Sequence, residues 1–311
     1  MSKGKVLIAA PVHAVLTDGL MAAGYELVTA EKITQAAAYE LLGDCLGVIT
    51  STRLQLDKDL IDAAPMLQWI GRMGSGMEVI DLEYATIKGI QCYASPEGNC
   101  NAVAEHALGM LLSLTKNILV SNEQIKKGLW LRDENRGIEL EGKTIGIIGF
   151  GHTGRAFAKK LQVFDMQILA YDKYYNLDMP AYVQHCNDLG PLYAQADIVS
   201  FHVPLQKDTI YYLNDNFITN MAKDFVVLNT SRGKVIDTKT LYKGLMTGKI
   251  KGACLDVWEE EPIEKMSATL RTLLDEIVNL PQVIITPHIA GYSHEALFKM
   301  SKCLLEKIVM R

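Results

Sequence analysis

The chain has 311 residues, which exceeds the size of one ordinary core and is compatible with two domains. Hydrophobic residues make up 49% and charged residues 22%, a composition that excludes a disordered chain. The net charge of −5 excludes a global basic field for nucleic acid or a membrane surface, and no apolar run approaches the roughly 18 residues of a membrane span.

Six cysteines are scattered along the chain with no C-x-x-C pair, so the sequence predicts neither a disulfide framework nor a metal site. The apolar run at residues 5–10 is too short for a signal peptide and predicts a first strand. We therefore expect a cytoplasmic, reduced protein that holds no metal and binds neither nucleic acid nor membrane.

The first hundred residues alternate between short apolar runs and helical patterns. The predicted elements are strand 5–10, helix 16–23, strand 25–29, helix 33–42, strand 47–50, helix 56–64, strand 67–71, helix 81–88 and strand 90–93. Such alternation predicts a parallel sheet covered by helices.

A long apolar helix is predicted next, over residues 100–127, as the bridge into a second domain. Glu105 and His106 fall inside it, and polar groups in such a helix are expected to be hydrogen-bonded. We interpret this pair as an interdomain packing pair, with a catalytic role as the alternative.

A dinucleotide fingerprint follows the predicted strand at residues 145–148. Gly149, Gly151 and Gly154 have the spacing G-x-G-x-x-G, and a helical pattern begins within the loop. Gly149 allows a tight turn, Gly151 lets a pyrophosphate approach the backbone, and Gly154 permits close packing of helix and strand. The N-terminus of the helix offers N–H groups to the phosphate.

Asp172 ends the next predicted strand, 167–171, at about the spacing of the carboxylate that binds an adenosine ribose. This carboxylate favours NAD over NADP, because it accepts hydrogen bonds from ribose hydroxyls and repels a 2′-phosphate. The adjacent Lys173 leaves NADP open as an alternative cofactor.

The second domain continues with the same alternation. Its further predicted elements are helix 191–196, strand 197–201, helix 214–222, strand 225–229, helix 240–246, strand 253–257, strand 283–286 and a closing amphipathic helix 295–310. Residues just beyond the carboxyl ends of parallel strands are where ligands bind. Arg232, Glu261 and His288 follow three of these strands.

These three side chains suit proton transfer to a carboxylic acid substrate. An arginine fork binds a carboxylate at two points, a histidine exchanges protons near neutral pH, and a neighbouring carboxylate stabilises the imidazolium. Each residue alone has an ordinary interpretation, as a turn arginine, a member of a solvated acidic run or a loop histidine. Their convergence on one sheet edge favours a site.

With these motifs in place, the chain resembles the D-isomer-specific 2-hydroxyacid dehydrogenases, most closely the D-3-phosphoglycerate dehydrogenases. The matching segments run in the family's order: 72–82, 103–112, 139–158, 202–209, 229–237, 255–262 and 286–293. The resemblance implies an α/β fold with two Rossmann-like, doubly wound parallel-sheet domains. The NAD-binding domain, 99–286, would be inserted into a flavodoxin-like substrate-binding domain formed by 1–98 plus 287–311.

The resemblance also implies roles for individual residues. Arg232 would hold the substrate's carboxylate and carbonyl oxygen, His288 would exchange the proton, and Glu261 would orient His288. Hydride would pass between C4 of the nicotinamide and C2 of a 2-hydroxy or 2-keto acid.

The implied NAD contacts are Gly149, Gly151, His152, Thr153, Gly154, Asp172, His202, Pro204, Thr209, Thr230, Ser231, Asp256 and Gly291. The implied substrate contacts are the backbone N–H groups of Ser75 and Gly76. Arg53 and Arg72 are candidates for binding a substrate phosphate, and are equally plausible as surface or helix-end charges. A homodimer through helix 100–127 is implied as well.

Two departures from the family pattern limit these expectations. Glu78 and Val79 replace the usual Asp-Asn of the first-domain glycine turn, and the segment 263–282 is longer than usual. The C-terminal regulatory domain of some phosphoglycerate dehydrogenases is absent from the sequence, so we expect no feedback control by that route.

Several functions compete. Phosphoglycerate is the expected substrate, with lactate, glycerate, hydroxypyruvate or glyoxylate-type acids as alternatives. Formate dehydrogenases share the fold but carry glutamine where this chain has Glu261. A dinucleotide-sensing protein like the family's transcriptional corepressors, and from the fingerprint alone a Rossmann-like methyltransferase, are the remaining hypotheses.

Overall fold

The computed structural model describes residues 2–174 and 179–310. The chain divides into two compact units: unit 1 is Met1–Ala102 with Gly291–Arg311, and unit 2 is Val103–Ala290. The corresponding predicted limits are 98/99 and 286/287; their outermost residues, 1 and 311, lie outside the described residues. No described helix has the length and apolar character needed to cross a membrane.

Unit 1 is built on a five-stranded parallel sheet with helices on both faces. Its strands are β1 Gly4–Ile8, β2 Tyr25–Thr29, β3 Cys45–Thr50, β4 Trp69–Arg72 and β5 Gln91–Ala94. Its helices are α1 Ala14–Ala22, α2 Gln35–Leu41, α3 Lys58–Asp62, α4 Leu82–Ile87 and α12 His294–Val309. The strand order is β2-β1-β3-β4-β5, the flavodoxin-like arrangement.

Alternate residues of the unit 1 strands serve two separate cores. Leu7 packs with the helices α2 to α4 on one face, whereas its neighbours Val6 and Ile8 pack with α1 and α12 on the other. This alternation follows from the period of two along a strand. The C-terminal helix α12 contributes Met300 and Leu304 to the second core, so the end of the chain completes a sheet begun at its start.

Unit 2 contains a seven-stranded parallel sheet. Its strands are β6 Thr144–Ile148, β7 Gln167–Tyr171, β8 Gln184–His185, β9 Ile198–Phe201, β10 Phe225–Asn229, β11 Ile250–Leu255 and β12 Val283–Ile285. The order is β12-β11-β10-β9-β6-β7-β8, so the direction of strand addition reverses between β6 and β9. Ligands of open parallel sheets bind at such a switch point. Together with the sheet of unit 1, this order confirms the predicted fold class.

Helices cover both faces of the second sheet. They are α7 His152–Leu161, α8 Gly190–Gln195, α9 Asp215–Asn220, α10 Thr238–Thr247 and α11 Ala268–Ile277. A further helix, α6 Ile118–Lys126, has no buried residue. The chain passes from unit 1 to unit 2 within α5, Pro96–Thr115.

The single helix predicted over 100–127 is wrong, because α5 and α6 are separate helices. Asn117 lies between them in the left-handed region, with φ 52°, a conformation that asparagine tolerates better than most residues. The carbonyl of Thr115 leaves the helical pattern and accepts a hydrogen bond from the N–H of Ile138. A distant part of the chain therefore ends α5.

Two further elements were missed by the sequence patterns. Strand β8 has only two residues and lies at the sheet edge, so its apolar pattern is too short to detect. Helix α11 occupies the long segment 263–282 and buries Leu270, Leu274 and Ile277 on one face. The unusual length of this segment thus corresponds to a packed helix.

Candidate active site

The glycine loop joins β6 to α7 at the switch point of the unit 2 sheet. Gly149 has φ +90°, and a Cβ there would lie 2.5 Å from the carbonyl oxygen of His202. A Cβ on Gly154 would lie 2.2 Å from the carbonyl oxygen of Gly149. A Cβ on Gly151 would meet no heavy atom within 4 Å. Two of these glycines are therefore required by the fold, and the third faces open space.

The N-terminus of α7 points its first backbone N–H groups out of this loop. Gly151 is the N-cap residue and has no side chain to accept from them. His152 and Thr153 are the first two helical residues, whose N–H groups have no acceptor within the helix. An anion is the natural partner for this end of the helix dipole.

Asp172 lies directly after β7 and faces the same loop. Its carboxylate accepts hydrogen bonds from the N–H of Phe150 at 2.6 Å and from the N–H of Tyr174 at 2.9 Å. It borders a cavity of about 330 Å³. The cavity is lined by Ile148, Gly149, Phe150, Gly151, Tyr171, Asp172, Lys173, Tyr174, His202, Val203, Pro204, Gln206, Asp208, Thr209 and Tyr212.

Lys173, next to Asp172, is paired with Asp208, another residue that lines the cavity. Its Nζ lies 2.5 Å from a carboxylate oxygen of Asp208, and both side chains are about half exposed. The positive charge that would favour a 2′-phosphate is therefore offset by Asp208.

The loop after β9 supplies the other wall of the cavity. Burial lowers the pKa of His202 to about 3, so this imidazole is neutral at physiological pH. Its Nε2 bonds to the hydroxyl of Ser200 at 2.8 Å. Thr209 is buried and donates from its hydroxyl to the carbonyl of Pro204 at 2.6 Å, which fixes the shape of the loop.

The loop after β10 is held by Asn229, a residue that the sequence analysis did not single out. Its Oδ1 accepts from both the N–H and the hydroxyl of Ser231, and its Nδ2 donates to the carbonyl of Arg232. Gly233 then passes so close to Trp258 that a Cβ would lie 1.6 Å from the tryptophan's carbonyl oxygen. These contacts fix the backbone from which Arg232 projects.

Glu261 and His288 form a direct pair, with the Nδ1 of His288 2.7 Å from the Oε2 of Glu261. The other oxygen of Glu261 accepts from the N–H of Trp258 at 2.7 Å. Burial would raise the pKa of Glu261, but these hydrogen bonds and the nearby charges of His288 and Arg232 outweigh it and lower the pKa. Glu261 is therefore ionised near neutral pH.

The neighbouring acids do not form a solvated run. Glu259 accepts from the hydroxyls of Tyr211 and Thr238, and Glu260 accepts from the N–H of Ser267. Each glutamate after β11 thus has a distinct structural partner, and only Glu261 reaches His288.

Asp256, at the end of β11, is 1% exposed and binds the loop that carries His288. Its carboxylate accepts from the hydroxyl of Thr286 at 2.5 Å and from the N–H groups of Ile289 and Ala290 at 2.9 and 2.8 Å. Its carbonyl accepts from the N–H of His288 at 2.8 Å. Asp256, a predicted NAD contact, is therefore also the main support of the histidine loop.

The remaining predicted residues belong to unit 1. Arg53 is exposed in the loop after β3, and Ser75 and Gly76 lie in the loop after the adjacent strand, β4. Arg72 is 8% exposed and donates to the carbonyl of Met73. Gly291, a predicted NAD contact, is the first residue of the C-terminal segment of unit 1.

Ser95 is a further residue of unit 1 that the sequence analysis missed. This fully buried side chain bonds both the N–H of Gly74 and the carbonyl of Arg72, and so holds the loop after β4. A lone serine next to a strand carries no pattern that would identify this role.

The residues of unit 2 fit a dinucleotide. The space beside Gly151 admits a phosphate to the backbone, and the carboxylate of Asp172 borders the cavity. Within residues 2–174 and 179–310, the buried Nδ1 of His202, Oγ1 of Thr230 and Nε1 of Trp258 have no hydrogen-bond partner. Buried polar atoms in this condition are typical of a site that completes its hydrogen bonds with a ligand.

Comparison with known proteins agrees with this geometry. Residues 108–290 match the model of the D-isomer specific 2-hydroxyacid dehydrogenase NAD-binding domain. A D-3-phosphoglycerate dehydrogenase from Archaeoglobus fulgidus is 31% identical over 306 residues, which cover 98% of this chain and 56% of that protein. The chain thus spans little more than half the length of this relative.

Two other similar proteins match over nearly their whole length. A hydroxypyruvate reductase from Thermotoga maritima is 32% identical over 310 residues, covering 99% of this chain and 98% of the relative. The crystal structure of a D-lactate dehydrogenase from Aquifex aeolicus, complexed with NAD and lactic acid, has a TM-score of 0.83 at 28% identity. The match covers 98% of this chain and 94% of the D-lactate dehydrogenase chain.

Proposed function

This chain belongs to the D-isomer-specific 2-hydroxyacid dehydrogenase family, and from that premise we propose that it is an NAD-dependent oxidoreductase interconverting a 2-hydroxy acid and its 2-keto acid. The observation that carries the proposal is the 2.7 Å pair of Glu261 and His288. This pair follows strands of the same sheet whose glycine loop fits a dinucleotide.

The pairing fixes the chemistry available to His288. Its Nδ1 is engaged with the carboxylate of Glu261, so its Nε2 carries the exchangeable proton. When bound, NADH supplies the hydride. His288 gives the Nε2 proton to the carbonyl oxygen during reduction and takes it back from the hydroxyl in the reverse direction. The charge of Glu261 stabilises the imidazolium before transfer, and Arg232 binds the substrate carboxylate.

Our first candidate substrate is the pair 3-phosphoglycerate and 3-phosphohydroxypyruvate. It is supported by the similarity to proteins named D-3-phosphoglycerate dehydrogenase and by Arg53, an exposed arginine in the loop after β3. This assignment would connect the protein to serine biosynthesis.

A second candidate, a small unphosphorylated keto acid, is favoured by a specific observation. Arg72 is buried and its guanidinium bonds to the carbonyl of Met73, a structural use that competes with binding a phosphate. The relative named hydroxypyruvate reductase supports the same class.

The experiment is a turnover assay with NADH and four keto acids: 3-phosphohydroxypyruvate, hydroxypyruvate, glyoxylate and pyruvate. We expect His288→Ala to lower turnover by about 100- to 10,000-fold, the contribution of a general acid. His185→Ala, an exposed histidine on the edge strand β8, is the matched control and should be unchanged. Full activity of His288→Ala would refute the proposal, whereas NADH binding without any turnover would favour the corepressor-like sensor.

We further propose a homodimer that uses α6, the second of the two helices in the predicted 100–127 region. Ile118, Leu119 and Ile125 on this helix are each about half exposed, and Trp130 just after it is 78% exposed. Exposed apolar clusters mark interaction surfaces. Leu119→Lys should yield a monomer in sedimentation analysis, and a wild-type monomer at micromolar concentration would refute the dimer.

A further inference from the structure

A chain of hydrogen bonds connects α5 to the loop that carries His288. The Nε2 of His106 lies 2.9 Å from the hydroxyl oxygen of Thr286, which in turn lies 2.5 Å from the Oδ1 of Asp256. Asp256 holds the N–H groups of Ile289 and Ala290. His106, which lies in α5, and its partner Thr286 have no role in the proposed mechanism.

The direction of these hydrogen bonds follows from the donors available. A carboxylate only accepts, so the single hydroxyl proton of Thr286 goes to Asp256. The hydroxyl oxygen then accepts from His106, which places a proton on the Nε2 of that imidazole. His106 is half-buried, and its Nε2 is also 3.6 Å from the Oδ1 of Asp256, so the imidazole reinforces the orientation of the carboxylate.

The loop needs this support because His288 has an unfavourable backbone. Its φ is +55°, in the left-handed region where a residue with a Cβ is rarely found. Such a conformation persists only where surrounding contacts determine it. Here the contacts are the carbonyl of Asp256 to the N–H of His288 and the carboxylate of Asp256 to the two following N–H groups.

We propose that His106 and Thr286 are positioning residues that act through Asp256 to hold His288 in its proton-transfer orientation. The inference rests on the proposed function, in which His288 exchanges the proton. It assigns to His106, one of the polar pair of α5, a role different from the interdomain packing expected from sequence. Of that pair, Glu105 instead bonds to Lys160 at 3.1 Å.

The test replaces the hydroxyl of Thr286 by an isosteric methyl group. Thr286→Val should lower kcat about tenfold with little change in KM, because positioning of the proton donor matters in the transition state. Thr286→Ser keeps the hydroxyl and should restore kcat to within about threefold. His106→Met should lower kcat in the same manner, and His106→Gln, which retains a terminal N–H donor, should recover part of it.

Thr115→Val is the matched control, since Thr115 is a buried threonine in α5 whose hydroxyl bonds only within the helix, to the carbonyls of Leu111 and Leu112. Its kcat should equal that of the wild type. Amide hydrogen exchange over residues 283–292 gives a readout that does not need turnover. Exchange at Ile289 and Ala290 should be faster in Thr286→Val and normal in Thr286→Ser and Thr115→Val.

The outcomes separate this inference from the function on which it rests. If His288→Ala abolishes turnover while Thr286→Val and His106→Met keep wild-type kcat and exchange rates, the positioning role is refuted and the proposed function stands. If His288→Ala retains turnover, both are refuted. A tenfold loss that Thr286→Ser does not recover would also refute the role of the hydroxyl.

Discussion

Replacing Gly151 by alanine should abolish tight nucleotide binding and leave the fold intact. The added Cβ would meet no heavy atom of the protein within 4 Å, and the backbone at φ −77° and ψ −153° is open to alanine. Alanine is a poorer N-cap than glycine, which lowers the free energy of unfolding by about 1 kcal/mol. Alanine also reduces the conformational entropy of the unfolded chain, which raises the free energy of unfolding by about 0.4–1 kcal/mol. The net change in the free energy of unfolding should therefore stay within about 1 kcal/mol.

The effect on the ligand should be larger. The Cβ occupies the space through which a pyrophosphate reaches the N–H groups of α7, and one charge-assisted hydrogen bond is worth about 1.5–3 kcal/mol. Its loss corresponds to roughly a 10- to 100-fold weaker NADH complex. NADH fluorescence titration measures this constant, and urea unfolding of the same variant measures stability.

Gly154→Ala is the matched control, and unlike Gly151→Ala it should destabilise the fold. Its Cβ would lie 2.2 Å from the carbonyl oxygen of Gly149, so helix and strand must separate, at a cost of about 1–3 kcal/mol. NADH affinity of Gly151→Ala within twofold of the wild type would refute the phosphate path along this backbone. Equal destabilisation by the two substitutions would refute the claim that Gly151 faces open space.

Three other predictions concern the cavity, the acid stability of unit 1 and the loop after β10. Asp208→Asn should strengthen NADPH binding relative to NADH about two- to fivefold, because the exposed ion pair no longer holds Lys173. Fluorescence titrations give the ratio of the two dissociation constants, and adding Lys173→Met should cancel the gain. Burial opposes ionisation of Glu97, but hydrogen bonds, chiefly from Lys307, prevail and lower its pKa from 4.5 to about 2. A lowered carboxyl pKa stabilises the fold above pH 4.5, and this contribution is lost as the pH falls from 4.5 towards 2. Urea unfolding should therefore show Glu97→Gln less stable than wild type at pH 7, with the difference shrinking by pH 3; a constant difference would contradict the linkage. Gly233→Ala should destabilise the protein in the same assay by at least about 1–3 kcal/mol, since its Cβ would overlap the carbonyl of Trp258, and a neutral effect would contradict this packing.

Much of the fold could be predicted because local patterns and packing agree. Strands β2, β7 and β10 were predicted with the bounds they have, since each is a short, mostly apolar run bounded by turn residues or a glycine. The start of the helix predicted over 81–88 is equally local, because Asp81 is the N-cap of α4 and its carboxylate accepts from the N–H of Tyr84 in the first turn.

What failed depended on contacts between distant segments. The break at Asn117 is imposed where residues 137 and 138 pack against Thr115, more than twenty positions away in sequence. His106 bonds to Thr286 across an even longer separation, so a helical pattern alone identifies a polar residue without its partner. The same limit applies to the candidate site. Glu261 and His288 could be predicted from the sequence, but the hydrogen bonds of Thr286 that support the histidine loop could not.

The C-terminal helix has a consequence for the order in which the protein is made. Helix α12 completes the core that α1 forms against β1 and β4, with Met300, Leu304 and Ile308, so part of one apolar face of the first strands stays uncovered until α12 has been synthesised, after all of unit 2. Unit 2 is contiguous, and its strands are complete before α12 is translated. During synthesis, the early strands of unit 1 therefore depend on other protection, and a ribosome that stalls after Ala290 would release an aggregation-prone fragment.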